Sequence, residues 1–206
     1  VSLKLESLYD LSGHCFSWEF ATAVAGAVLE INPFDEPNVQ EAKDQTKLAL
    51  SAYEQSGQLP EVTTSTLDEV ARFISSVQNG DYLAFQAYLP YDESVERAIQ
   101  ELRMAARDRC RVATTVGFGP RYLHSTGQLH KGGPNTGVFV QLVGEVESDV
   151  PIPGAPYTFG VLNAAQAVGD FQALQQHGRR VVRLHVGSDP VGTLSRLTGL
   201  IKESRS

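Results

Sequence analysis

The sequence predicts an α/β fold: a three-layer sandwich around a mainly parallel sheet, preceded by helices. Three observations carry this expectation. After Gly80-Asp81, strand-like segments alternate with helical segments of ten or more residues, the pattern that βαβ units leave in a chain. The 206 residues, 42% of them hydrophobic, are enough to bury one sizeable core. The 20% of charged residues gives a solvated surface and excludes a disordered chain.

Taken in order, residues 1–5 alternate like the end of a strand, and residues 10–13 read as a turn. Residues 15–29 place Phe16, Phe20, Val24 and Val28 at helical spacing among small alanines, which predicts a core helix packed closely on a neighbour. Asn32-Pro33 ends it. Pro37 suits the first turn of a second helix running to about Gln55. Residues 57–65 are a polar connector and 67–77 a short helix. A strand over 82–89 and a charged amphipathic helix over 93–109 follow. The strand over 111–116 is broken by Gly117-Phe118-Gly119-Pro120. Then come a strand over 137–143, a helix over 157–176 closed by Gly178, a strand over 180–186 and a last helix over 191–201.

Residues 182–186 with the turn and helix after them echo the arrangement at 1–5. On that basis residues 1–66 are read as the end of a preceding α/β unit and 67–206 as the main domain; two ordinary βα units account for the echo equally well. The chain opens at Val1 without methionine or signal peptide, so a piece of a longer protein is expected.

Seventeen basic against 24 acidic residues leave a formal charge of −7, which argues against nucleic acid or an anionic membrane as partner. No apolar run reaches the roughly 18 residues of a membrane span. Cys15 and Cys110 form no CxxC pair and no disulfide framework, so a reducing cytoplasm is expected.

In open α/β sheets, ligands sit beyond the carboxyl ends of the strands. The stretch after residues 111–116 is the best candidate for such a site. Two glycines and a proline let the chain leave the sheet sharply, and Arg121, His124, Ser125, Thr126 and Gln128 follow within a few positions. Helix capping and ligand contact are equal readings for Ser125 and Thr126; His124 reads as structural or as a titratable group in a polar loop. The next segment, with His130, Lys131, Gly132 and Gly133, lacks the Gly-Lys-Ser/Thr ending of a phosphate loop, and no GxGxxG is present. ATP and dinucleotides are therefore not expected, and no cofactor is. His124 and His130, six positions apart with no carboxylate beside them, do not make a metal site. Lys43 is a second candidate. It falls inside the stripe Val39, Ala42, Thr46, Ala49, Leu50 and Tyr53, where a half-buried ammonium needs an anionic partner such as Asp35 or Glu36, a function, or a snorkelling path to water.

Three motifs resemble a known family. They are Trp18-Glu19-Phe20-Ala21-Thr22, running on to Ile31-Asn32-Pro33-Phe34-Asp35-Glu36-Pro37 and Lys43; Gly117 to Gly137, centred on Leu123-His124-Ser125-Thr126-Gly127-Gln128; and Tyr157-Thr158-Phe159-Gly160. The chain resembles the glucose-6-phosphate isomerase family, and most closely the C-terminal part of bifunctional transaldolase/glucose-6-phosphate isomerases. The resemblance implies sugar-isomerase (SIS) domains of flavodoxin type. It implies cofactor-free interconversion of glucose 6-phosphate and fructose 6-phosphate through an enediol, which needs a carboxylate base and groups that hold the developing oxyanion. It makes Lys43 and His124 the catalytic residues, the lysine steadying the enediolate and the histidine moving a proton during ring opening. Arg121, Ser125, Thr126 and Gln128 become substrate-binding residues. It also implies upstream transaldolase and SIS domains as partners and leaves homo-oligomers open.

The chain departs from the family in three ways. The lysine motif precedes the histidine motif, whereas in ordinary members it follows. Glu36 stands where the family has glutamine and Gln40 where it has glutamate, which puts a carboxylate where a phosphate contact would be expected. The motif that holds the base, and the main phosphate-binding Ser/Thr cluster, are missing and would lie upstream of Val1. The alternative function is a non-catalytic sugar-phosphate-binding SIS module.

Overall fold

The computed structural model of the chain describes residues 5–35, 37–146 and 148–203, and the chain forms two compact units, Val1–Glu36 and Pro37–Ser206. The first contains one helix, α1 (Tyr9–Leu29). It begins ahead of the expected start, and the stretch 10–13 is helical, not a turn. The Asp10 carboxylate accepts the amide hydrogens of Glu6 at 2.8 Å and Ser7 at 2.7 Å, which fixes the entry into the first turn. The helix ends on Glu30, whose φ of 56° is left-handed, with the Ile31 amide returning to the Gly26 carbonyl at 3.0 Å.

The expectation of a tightly packed core helix is corrected within this unit. Phe20 is 62% and Val28 77% exposed, and Phe16 and Val24 are exposed too. Apolar residues run all round α1, and the unit has no second described element to cover them. Of the strand expected over 1–5, only Leu5 is among the described residues, and it is not in a strand.

The second unit begins with α2 (Pro37–Ser56) and α3 (Leu67–Ser75). Then follow β1 (Tyr82–Tyr88), α4 (Glu93–Cys110), β2 (Ala113–Phe118), a 3-10 turn (Arg121–His124) and α5 (Gly127–Gly132). The unit closes with β3 (Gly137–Val143), α6 (Phe159–Gln176), β4 (Arg180–His185) and α7 (Pro190–Glu203).

Local chemistry explains most boundaries. Thr66 and Glu69 form a reciprocal capping box at the start of α3, Asp92 accepts two amides at the start of α4, and Thr158 caps α6. Gly178, with φ of +62°, lets the chain turn out of α6. β2 starts two residues later than expected because Arg111 closes α4 in the left-handed region, at φ 57°.

The four strands are all parallel, in the order β2-β1-β3-β4. The chain is therefore α/β, with a parallel sheet between two helical layers in a three-layer sandwich of flavodoxin-like type. One layer is α3, α4 and α7; the other is α2, α5 and α6. Because α2 packs along α6, it belongs with the sheet, and the break between units falls after Glu36 and not after residue 66.

The two sheet faces differ in chemistry. Toward α4 and α7, Leu83, Phe85, Val138, Val140, Leu142 and Leu184 pack with Ile99, Leu102, Leu194 and Leu197 into the main apolar core. Each such side chain contributes about 1.5–3 kcal/mol on burial. The alternate residues face the other layer, and the register aligns Gly117, Gln86, Gln141 and Arg183 in one row across all four strands. Gly117 leaves that row open for Tyr122: a Cβ there would lie 2.6 Å from the Tyr122 Cβ.

Accordingly, Gly117→Ala is expected to cost about 1–3 kcal/mol by overpacking against Tyr122. Gly199→Ala, in open space on α7, should gain up to about 1 kcal/mol of helix propensity. Urea unfolding of both variants checks the pair of opposite signs.

Candidate functional site

A cavity of about 160 Å³ lies on the α2/α5/α6 side of the sheet. Four elements line it. The helix α2 supplies Asn38, Ala42, Lys43 and Thr46; the turn after β2 supplies Pro120, Leu123 and His124; α5 supplies Gly127 and Lys131, and α6 supplies Gln166. The position follows from the topology. The crossover from β2 to β3 passes over β1 and carries the 3-10 turn and α5 against α2 and α6.

Lys43 and His124 thus border the same cavity although they are far apart in sequence. Lys43 is exposed at the rim and not half-buried, while its stripe neighbours Ala42 and Ala49 are buried. His124 is exposed as well. Among the described residues neither side chain has a hydrogen-bond or ion-pair partner, so both are available to a ligand. Glu36 lies outside the described residues, and of Val39 only the backbone is described.

The other four expected site residues lie outside the lining and are engaged elsewhere. The Arg121 guanidinium sits 5.2 Å over the Tyr91 ring. The Ser125 and Thr126 hydroxyls each donate to the Tyr122 carbonyl at 3.3 Å; Thr126 occupies the N-cap position of α5 but its side chain bonds none of the helix amides. Gln128 clasps the start of α2: its Nε2 donates to Asn38 Oδ1 at 2.8 Å and its Oε1 accepts the Asn38 amide at 3.1 Å. Asn38 also donates to Glu41, whose Oε2 lies 2.6 Å from His177 Nε2. Partial burial works to raise the Glu41 pKa, but the hydrogen bonds from His177 and Asn38 outweigh it and hold that carboxyl below its usual value.

Beneath the cavity lies a buried polar array that the sequence reading did not single out. The Lys131 ammonium, 1% exposed, is 2.5 Å from Oδ1 of Asp170, which is fully buried. The other Asp170 oxygen accepts the Tyr122 hydroxyl, and the Tyr88 and Tyr122 hydroxyl oxygens are 3.4 Å apart. Burial, reinforced by the Asp170 charge, pushes both phenols well above their ordinary pKa, so both remain protonated donors. Asp170 was findable: it stands among Ala167, Phe171 and Leu174 on the apolar face of α6, where a carboxylate needs a cation.

His130 is buried among the rings of Tyr82, Tyr122 and Phe139, with Nδ1 at 3.3 Å from Gln86 Nε2. Gln141 Nε2 donates to the Ala167 carbonyl at 2.9 Å. The Oε1 atoms of Gln86 and Gln141 have no partner among the described residues. Burial lowers the His130 pKa to about 4, so the imidazole is neutral near pH 7.

The cavity therefore offers two ammonium groups, an imidazole and amide groups, with no carboxylate in its lining. That set suits an oxygen-rich ligand bearing negative charge. Among the described residues no three His, Cys, Asp or Glu side chains are grouped to hold a metal ion, and no helix is long and apolar enough to cross a membrane.

No protein-family model matches the chain, and no curated protein is similar to it. Among solved structures the chain is similar to the hypothetical protein TT0462 from Thermus thermophilus. The TM-score is 0.50 at 20% identity, covering 82% of this chain and 43% of that one. The chain spans less than half the length of that protein, and at this identity the likeness shows the fold.

His130 yields a test of the array. The unfolded chain takes up the His130 proton near pH 6.5 and the folded chain only near 4, so stability falls as pH drops through that window and levels off below it. The expected loss is on the order of 3 kcal/mol. Urea midpoints measured between pH 7 and 4 should show it, and His130→Phe should flatten that part of the profile.

Proposed function

We propose that the chain is the C-terminal SIS-type portion of a glucose-6-phosphate isomerase, joined in its full form to upstream transaldolase and SIS domains and working in the cytoplasm. The observation that carries this reading is the shared cavity of Lys43 and His124, two residues picked out by separate motifs. In this reading His124 moves the proton between the ring oxygen and the C1 hydroxyl as the hexose ring opens. A base then takes the C2 proton and the C1 carbonyl becomes an enediolate oxygen; the C2 hydroxyl proton passes to that oxygen and the abstracted proton returns to C1, leaving the C2 carbonyl of the ketose. Lys43, exposed at the rim, steadies the negative charge that develops on these oxygens.

The cavity lining supplies no carboxylate for the C2 proton. In this reading the base comes from outside the described residues, on an upstream domain or another subunit. The same gap favours the second reading, a sugar-phosphate-binding module without turnover.

Amide NMR titration with glucose 6-phosphate and 6-phosphogluconate, together with a coupled isomerase assay, separates the readings. The isolated chain is expected to bind both ligands weakly, at roughly millimolar Kd, and to show no turnover. Lys43→Ala should weaken binding by roughly tenfold or more. Micromolar binding by the isolated chain would favour the sensing module. Absence of binding, or binding indifferent to Lys43, would refute both.

A further inference from the structure

Lys131 is an unusual cavity-lining cation. Its side chain is 1% exposed, yet it contributes to the lining. Its nitrogen lies beside Gly127, another lining residue: a Cβ on Gly127 would be 3.8 Å from it. Among the described residues the ammonium donates only to Asp170. Its other N–H donors have no partner among the described residues, at a nitrogen that borders the cavity.

The charge around it decides what those donors suit. Asp170 neutralises the ammonium from 2.5 Å, and its second oxygen is engaged by Tyr122. A phosphate dianion on Lys131 would face the Asp170 carboxylate just behind it, in surroundings that screen poorly. A hydroxyl or carbonyl oxygen meets no such repulsion, and an oxygen that gains charge only during reaction finds a donor already fixed in place. Lys43 is the contrasting cation: exposed, at the rim, and without a carboxylate partner among the described residues.

We propose that Lys131, held by Asp170 and Tyr122 at the cavity floor, is a ligand-binding residue that donates to a hydroxyl or carbonyl oxygen of a polyhydroxy ligand and not to its phosphate. This rests on the reading of the cavity as a sugar-phosphate site. It gives the ligand a direction, with the sugar oxygens inward and the charged group toward the rim.

The Lys131 ammonium resonance and ligand affinity, followed by NMR on the whole chain, test this with glucose 6-phosphate, glucitol and inorganic phosphate as probes. Glucose 6-phosphate and glucitol should shift the resonance, and inorganic phosphate should not. Gly127→Ala is the main variant, because its methyl would make only ordinary 3.8 Å contacts with Leu123 and Lys131 and leaves the ion pair in place. It is expected to melt like the parent yet bind glucose 6-phosphate roughly tenfold more weakly. Lys131→Met should lose both the resonance and the binding, with a lower melting temperature from the stranded Asp170.

Glucose 6-phosphate binding that Gly127→Ala leaves unchanged overturns the role of Lys131 while sparing the cavity's function. A shift of the ammonium by inorganic phosphate alone overturns the direction. Failure of all three probes to bind overturns both readings together.

Discussion

The side of the sheet that carries the cavity depends on one interaction, the contact between Lys131 and Asp170. Either charge alone would be buried without compensation, at a cost of several kcal/mol. Together they can exist only if α5 and α6 approach closely at one point. Tyr122 must also come down on the second carboxylate oxygen, which in turn needs the open row position at Gly117. The 3-10 turn that carries Tyr122 also carries Leu123 and His124, so the contact with the buried pair seats the turn that borders the cavity.

The division of labour between the sheet faces makes this arrangement affordable. The α4/α7 side is almost wholly apolar and supplies most of the cohesive burial. The other side carries a Gln86–His130 contact, Gln141 on the Ala167 carbonyl, and the two tyrosines joined to the ion pair. Buried polar groups of this kind add geometric definition more than net stability. The reversal of direction at the β1/β3 junction places the polar layer where the β2–β3 crossover passes.

Much of the fold could be read from the residues alone. The four strands and the long helices of the second unit show their period, and Thr158, Asp92 and Gly178 mark boundaries by simple capping chemistry. What escaped had nonlocal causes. α5 has a glycine-rich sequence that reads as loop. Arg111 gave no warning of its left-handed turn, and the apolar residues of α1 promised burial that its own unit does not provide. At the site, Lys43 and His124 could be named from motifs, and the crossover brings them to one cavity. Ser125, Thr126, Gln128 and Arg121 are polar residues in the right segment, but backbone carbonyls, Asn38 and Tyr91 occupy them. Sequence proximity to a site does not fix which way a short side chain turns. The partnership of Lys131 with Asp170 spans two helices and needed coordinates to be seen.

The corner between α6 and β4 has one more consequence. Arg179 donates from Nη2 to the carbonyls of Lys131 and Gly133, closing the far end of α5. A six-residue helix does not hold itself together in water. Its last carbonyls, which have no partner within so short a helix, are instead met by a guanidinium from the turn between α6 and β4. The floor of the cavity is thus anchored twice, to Asp170 inside the sandwich and to the α6–β4 corner at its end.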